Sequence, residues 1–269
     1  MLRAISRSIG WLTRLRTRLL SPLAVKLYAR YYRVALEEAE FPLAHYRNLA
    51  QFFTRRLKEN ARPIQGPLVS PIDGFLRGVG TVSSGTILQV KGRPYRVADL
   101  LGDELEATKF EGGAFFNFYL SPRDYHRIHL PCQGAIRSLR HLPGKLWPVN
   151  QWAVQNVERL FAVNERVVLS LTTPYGEVAV VMIGALNVGG ISVPFDHIQT
   201  NRWYWPWQRP AEHFIQYDPP KSFNAGAEVG TFHMGSAVVL LFPPGVSPEQ
   251  LPDGGQSVRM GEALRVRLP

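Results

Sequence analysis

The chain has 269 residues, 45% hydrophobic and 19% charged, with 31 basic against 21 acidic side chains and a single cysteine, Cys132. That length suits one large domain or two small ones around a sizeable core, and that composition excludes a disordered chain. One cysteine excludes an internal disulfide scaffold and a four-cysteine zinc site.

Residues 1–33 carry eight basic side chains and no acid, so this arm supplies +8 of the net +10 and leaves the body nearly neutral. A nearly neutral body weakens a nucleic-acid reading, which prefers a basic face on the folded domain. Arginine interrupts the arm too often for a secretory h-region. Leu2, Ile5, Ile9, Leu12, Leu15 and Leu19 recur at helical spacing, so residues 1–20 predict a basic amphipathic helix for an anionic membrane surface. A solvated helix or an RNA-binding arm is the alternative. A second helix is expected over 22–40, after a break at Ser21-Pro22. A third is expected over 43–58, from Leu43, Tyr46, Leu49, Phe52, Phe53 and Leu57.

Beyond Arg62 short apolar runs closed by Gly, Pro and Asn predict strands at Phe75–Val82, Thr86–Val90, Ala114–Leu120, Val167–Thr172, Val178–Ile183 and Ala237–Phe242. Helical interludes are expected near Arg96–Leu101 and Gln151–Phe161. The longest apolar run, Val178–Ile191, holds Asn187 and three glycines and reads as core strands, too short to span a bilayer as a helix. The chain therefore divides into a helical membrane-associating region, 1–60, and a β-rich domain, 61–269. The class is α+β.

Three segments carry candidate chemistry. Asp73, in Ser70-Pro-Ile-Asp-Gly, alone reads as a turn residue. His126 and His129, in Tyr119-Leu-Ser-Pro-Arg-Asp-Tyr-His-Arg-Ile-His129-Leu-Pro-Cys132, form an HxxH pair without a third clustered ligand, which is weak support for metal, and none is assigned. Cys132 beside His129 suggests a thiol nucleophile, against the commoner role of an inert buried hydrophobe. Gly235-Ser236 leads into an apolar strand, which alone is a turn.

Together these segments resemble the phosphatidylserine decarboxylases, pyruvoyl-dependent enzymes that cleave themselves. Further blocks in the family's order are Val149-Asn150, Gln155-Asn-Val, Leu160-Phe-Ala-Val-Asn-Glu-Arg166, Val188-Gly-Gly-Ile and Gly230-Thr-Phe-His-Met-Gly235-Ser236. The resemblance implies that Ser236 Oγ attacks the carbonyl of Gly235 and converts the amide to an ester. β-Elimination then separates residues 1–235 from 236–269, and hydrolysis leaves a pyruvoyl cofactor at position 236. It also implies His129 as the base for Ser236, with Asp73 orienting the imidazole. The lipid amine would then form a Schiff base with the pyruvoyl ketone, which accepts electrons as CO2 leaves and phosphatidylethanolamine forms. His126 is the candidate general acid.

The family further implies a β-rich core related to the barrel-sandwich hybrids of biotinyl and lipoyl carriers, with amphipathic N-terminal helices. Its expected partners are phosphatidylserine in an anionic membrane at the cytoplasmic face of the cell, and a second chain. The large and small chains would pair as a heterodimer, and doubling of that heterodimer is common in the family. No nucleic acid is expected. The motif departs from the usual Leu-Gly-Ser-Thr, reading Met234-Gly235-Ser236-Ala237. Losing that hydroxyl raises an alternative, a processing-deficient lipid-binding relative. Trp203, Tyr204, Trp205 and Trp207 are a second candidate for the membrane interface, or else an aromatic cluster packed under a loop.

Overall fold

The computed structural model describes residues 8, 10–17, 20–89, 93–186, 190–201, 211–233, 236–252 and 254–268. The fold is α+β, dominated by an open antiparallel sheet. Its strands in chain order are β1 (Gly74–Thr81), β2 (Ala114–Leu120), β3 (Gly134–Leu142), β4 (Arg166–Thr173), β5 (Gly176–Gly184), β6 (His213–Phe223), β7 (Ser236–Leu241) and β8 (Gln256–Val258). Across the sheet they run β6-β3-β4-β5-β7-β2-β1-β8. The end strands β6 and β8 do not pair with each other, so no closed barrel forms among the described residues.

The apolar runs of β2, β5 and β7 are explained by burial on both faces. Successive side chains of a strand point to opposite faces, so each run feeds two cores at once. Phe116, Phe118, Met182, Val238 and Leu240 join one cluster, while Phe115, Val181, Ile183, Ala237 and Val239 join the other. The second cluster is covered by helical residues, among them Leu100, Leu101, Ala153 and Phe161. The first is covered by a three-stranded sheet of Arg127–His129, Glu228–Phe232 and Ile191–Ser192, through Ile128, Val229 and Phe232. The two sheets approach closely at Gly230, where a Cβ would lie 2.5 Å from Met182 Sδ.

The six predicted strands are present, shifted by at most a residue or two. β6 was not expected from the sequence, because its side chains are mostly exposed and Pro219-Pro220 interrupts it. A register shift between Gln216 and Lys221 absorbs those prolines at the sheet edge.

The helical predictions need correction at three places. The expected break at Ser21-Pro22 instead falls inside the first turn of α1 (Leu20–Tyr32), where proline withholds no needed N–H. That helix stops at Arg33, which is left-handed (φ 53°), rather than reaching residue 40. The expected helix over 43–58 is a 3-10 turn at Leu43–His45 followed by α2 (Leu49–Phe53). Asn48 separates them, since its side chain accepts from Gln51 N and starts a new helix. The helical interlude at 151–161 is likewise split, with Arg159 left-handed between Gln151–Asn156 and Leu160–Val163.

This N-terminal region is fastened to the body. Val25 and Ala29 on α1 are buried, and Tyr28 Oη donates to the carbonyl of Pro122 at 2.8 Å. The arginine of Arg127 reaches back to the carbonyl of Thr54 at 2.8 Å. The loop joining β2 to the small sheet is therefore held from the N-terminal side.

Candidate active site

The two sheets share a junction. Strand Glu228–Phe232 ends in the small sheet and, after three intervening residues, the chain starts β7 in the large one. Ser236 is the first residue of β7 and pairs with Leu120 of β2 and Gly184 of β5. Alternation along β7 puts its side chain with Val238 and Leu240, on the face that the small sheet covers. It is fully buried, and Oγ has no hydrogen-bond partner among the described residues. Leaving a buried hydroxyl unsatisfied costs about 1–3 kcal/mol, which asks for a functional reason. Gly235 lies outside the described residues, as does Met234.

Both histidines belong to the small-sheet side: the His126 carbonyl accepts from the Phe232 amide near the crossing, whereas His129 stands at the other end of that strand pair. His129 ends the strand Arg127–His129, opposite Glu228. Its Nδ1 donates to the carbonyl of Gly226 at 2.8 Å, which fixes the tautomer and leaves a lone pair on Nε2. Tyr125 Oη lies 3.0 Å from Nε2 and donates to it. Burial pushes the His129 pKa down, against smaller upward pulls from Gly226, Glu228 and Asp73. The ring is therefore neutral and basic at Nε2.

His126 is fully buried. Its Nδ1 donates to the carbonyl of Asp124 at 2.8 Å, and Nε2 has no partner among the described residues. The imidazole packs 3.9 Å from the ring centroid of Phe53, on α2. Burial, with Arg55 adding repulsion, holds its pKa down at about 3. Arg55 Nη2 donates to the carbonyls of Arg123 at 2.9 Å and Asp124 at 3.2 Å, so one carbonyl is shared by arginine and histidine.

Asp73, just before β1, is held differently. Arg62 grips both carboxylate oxygens, Nε to Oδ1 at 2.8 Å and Nη2 to Oδ2 at 2.5 Å. The amide of Met260 also donates to Oδ1, at 2.9 Å. Arg62 continues to Glu38 at 2.6 Å, tying the site to the N-terminal region. No hydrogen bond among the described residues joins Asp73, His129 and Ser236. Asp73 is taken by Arg62 and the Met260 amide, and the His129 nitrogen expected to meet it is taken by the Gly226 carbonyl.

Several neighbours were missed. Tyr125 lies inside the block that holds both histidines, and its four-residue spacing from His129 was the available signal. Arg62 and Arg55 gave none, because their partners lie in other segments. His233, directly after the small-sheet strand, places Nε2 2.9 Å from Ser192 Oγ, and burial lowers its pKa to about 4. Cys132 is no nucleophile: it packs in the core, and burial raises its thiol to about 11. The aromatic stretch at 203–207 lies outside the described residues.

Ala237 points into the helix-covered cluster, on the opposite face from Ser236. A threonine hydroxyl there would face apolar neighbours rather than Ser236 Oγ. Ala237→Thr is accordingly expected to leave the same two products without faster cleavage, followed by intact mass over time. Its thermal midpoint should fall, because an unpaired hydroxyl in that cluster costs about 1–3 kcal/mol.

A buried serine hydroxyl with no hydrogen-bond partner among the described residues, at the head of β7, and two buried imidazoles in the neighbouring small-sheet segment are the components of a serine–histidine site. The comparisons place it in a family. The model of the phosphatidylserine decarboxylase family matches residues 49–265. Proteins named phosphatidylserine decarboxylase proenzyme are similar over nearly the whole length. One from Anaeromyxobacter sp. (strain K) is 42% identical, covering 97% of this chain and 93% of its own. One from Brevibacillus brevis is 40% identical, at 98% and 94%, and one from Myxococcus xanthus is 43% identical, at 90% and 85%. The chain belongs to the phosphatidylserine decarboxylase family.

Proposed function

We propose that this chain cleaves itself between Gly235 and Ser236 and then converts phosphatidylserine to phosphatidylethanolamine and CO2. The buried, unpartnered Ser236 hydroxyl at the head of β7 carries the reading, in a chain about 40% identical to named proenzymes. For cleavage, Ser236 Oγ attacks the preceding carbonyl while its proton passes to His129 Nε2, once Tyr125 gives up that lone pair. The Gly226 carbonyl keeps the other ring nitrogen protonated, and the Asp73 carboxylate adds a field that favours the charged imidazole as it forms. After cleavage the 236–269 chain stays bound, because β7 is paired along its length with β2 and β5. A further doubling of this two-chain unit is part of the proposal.

The pyruvoyl group at 236 supplies a ketone that draws electrons from the carboxyl-bearing carbon as CO2 leaves. The residues fit it, since position 236 lies in a dry junction with His126 Nε2 free of other bonds. A headgroup ammonium must lose a proton before its nitrogen can attack a carbonyl. Neutral His126 accepts that proton at Nε2 and returns it to carbon afterwards, acting as the general acid.

No helix among the described residues is long and apolar enough to cross a membrane. Leu20, Leu23, Leu27 and Tyr31 are exposed on α1, opposite its buried Val25 and Ala29, with Lys26 and Arg30 on the same helix. This stripe supports peripheral binding to an anionic leaflet at the cytoplasmic face of the membrane. A Leu23→Ser, Leu27→Ser variant is expected to lose at least about tenfold in binding to phosphatidylserine vesicles, read by sedimentation. Unchanged binding would move the contact to other residues. The kinship with biotinyl and lipoyl hybrid barrels rests on the Ser70–Gly74 turn leading into β1.

The deciding experiment is the intact mass of the purified protein, with and without hydroxylamine. Two chains are expected, one ending at Gly235 and one starting with a carbonyl-reactive blocked group, together with CO2 release from phosphatidylserine. A single full-length mass under all conditions would favour the processing-deficient lipid-binding relative instead.

A further inference from the structure

At the start of β1 lies a cavity of ≈ 230 Å³ lined by five arginines, Arg33, Arg55, Arg62, Arg123 and Arg259, against three carboxylates, Glu38, Asp73 and Asp124. The pairing within it is uneven. Arg62 takes both oxygens of Asp73 and one of Glu38, whose other oxygen meets Arg259 at 3.1 Å. Arg123 reaches Asp124 only loosely, at 3.6 Å. Neither Arg33 nor Arg55 forms an ion pair with a carboxylate among the described residues.

Arg55 is the telling member. It is 4% exposed, and its Nε and Nη1 are buried without hydrogen-bond partners, while Nη2 is spent on two loop carbonyls. A buried guanidinium left this way is costly unless an anion neutralises it. Burial depresses the Arg55 pKa and raises that of Asp124, whereas ion pairing raises that of Arg62 and lowers that of Glu38. The site thus has surplus positive charge and forked donors, which suit a phosphate group.

We propose that this arginine-lined cavity receives the phosphodiester of the lipid headgroup, a reading that rests on the decarboxylase function above. Its position selects the lipid over a free anion. Asp124 and Tyr125 form part of the wall, and they contact His126 Nδ1 and His129 Nε2 respectively. Arg33, which also lines the cavity, directly follows α1 with its exposed leucines. The cavity thus adjoins both the leucine-bearing helix and the loop that carries the histidines, as a phosphate lies between acyl chains and serine amine in the substrate.

The test uses the full-length Ser236→Ala chain, so that binding is read without cleavage or turnover. Calorimetry compares glycerophosphoserine with inorganic phosphate, before and after Arg123→Gln with Arg259→Gln. Both arginines have side chains more than 60% exposed (63% and 68%), so neither is needed for the core, and thermal unfolding checks this. Glycerophosphoserine should bind, and the double substitution should weaken it at least about tenfold. Arg96→Gln, at a surface pair with Glu104, should change nothing. Undiminished binding in the double variant overturns the proposal. So does binding of inorganic phosphate without glycerophosphoserine, which would make the cavity a free-phosphate site. Failure of the parent reading would show separately, as a single uncleaved mass for the unsubstituted chain.

Discussion

His129→Ala is expected to slow self-cleavage by about 10²–10⁴-fold, the usual contribution of a positioned general base. The argument is one of geometry and proton inventory. A serine hydroxyl is a weak nucleophile until a base takes its proton, and the structure offers a ring with its tautomer already set. Gly226 accepts from Nδ1, so the lone pair sits on Nε2, where Tyr125 at present donates. Burial lowers the His129 pKa, so the base form persists to lower pH than for a free imidazole. Cleavage should therefore be flat from neutral pH upward and fall only in acid, as His129 becomes protonated. Intact mass against time, after rapid refolding at a series of pH values, measures both. If His129→Ala cleaves at the parent rate, the base is elsewhere, and His233 with its Ser192 contact becomes the next residue to remove.

How much of this was legible depends on the range of each interaction. The strands β2, β5 and β7 were plain in the sequence because burial on both faces demands unbroken apolar runs. The helix over 43–58 was misread because one side chain, Asn48, restarts the backbone within a periodic stretch. The site residues were recognisable as family motifs, yet their partners were not. Asp73 carries no mark of Arg62 or of the Met260 amide, 187 positions away. The Gly226 carbonyl has no side chain by which sequence could flag it. Ala237 shows the same limit in reverse: adjacency to Ser236 suggested a shared role, and the strand alternation sends the two side chains to opposite cores.

His126→Asn should separate the two chemistries, leaving two chains by mass while CO2 release falls by about 10²–10⁴-fold in kcat. The separation follows from what each nitrogen faces. Nδ1 is committed to Asp124, so only Nε2 can exchange protons, and its low basicity makes it a fast donor once charged. Arg55 opposes that charge from behind, and it shares the Asp124 carbonyl with the ring. An anion arriving in the arginine cavity would offset Arg55 and make His126 easier to protonate, so the headgroup that brings the proton also improves its acceptor. Asparagine retains an N–H for the Asp124 carbonyl but cannot carry a proton through the cycle. A loss confined to kcat, with KM little changed, identifies the proton carrier. Decarboxylation at the parent rate would instead make His126 a packing residue on Phe53, and the proton would have to come from another group at the junction.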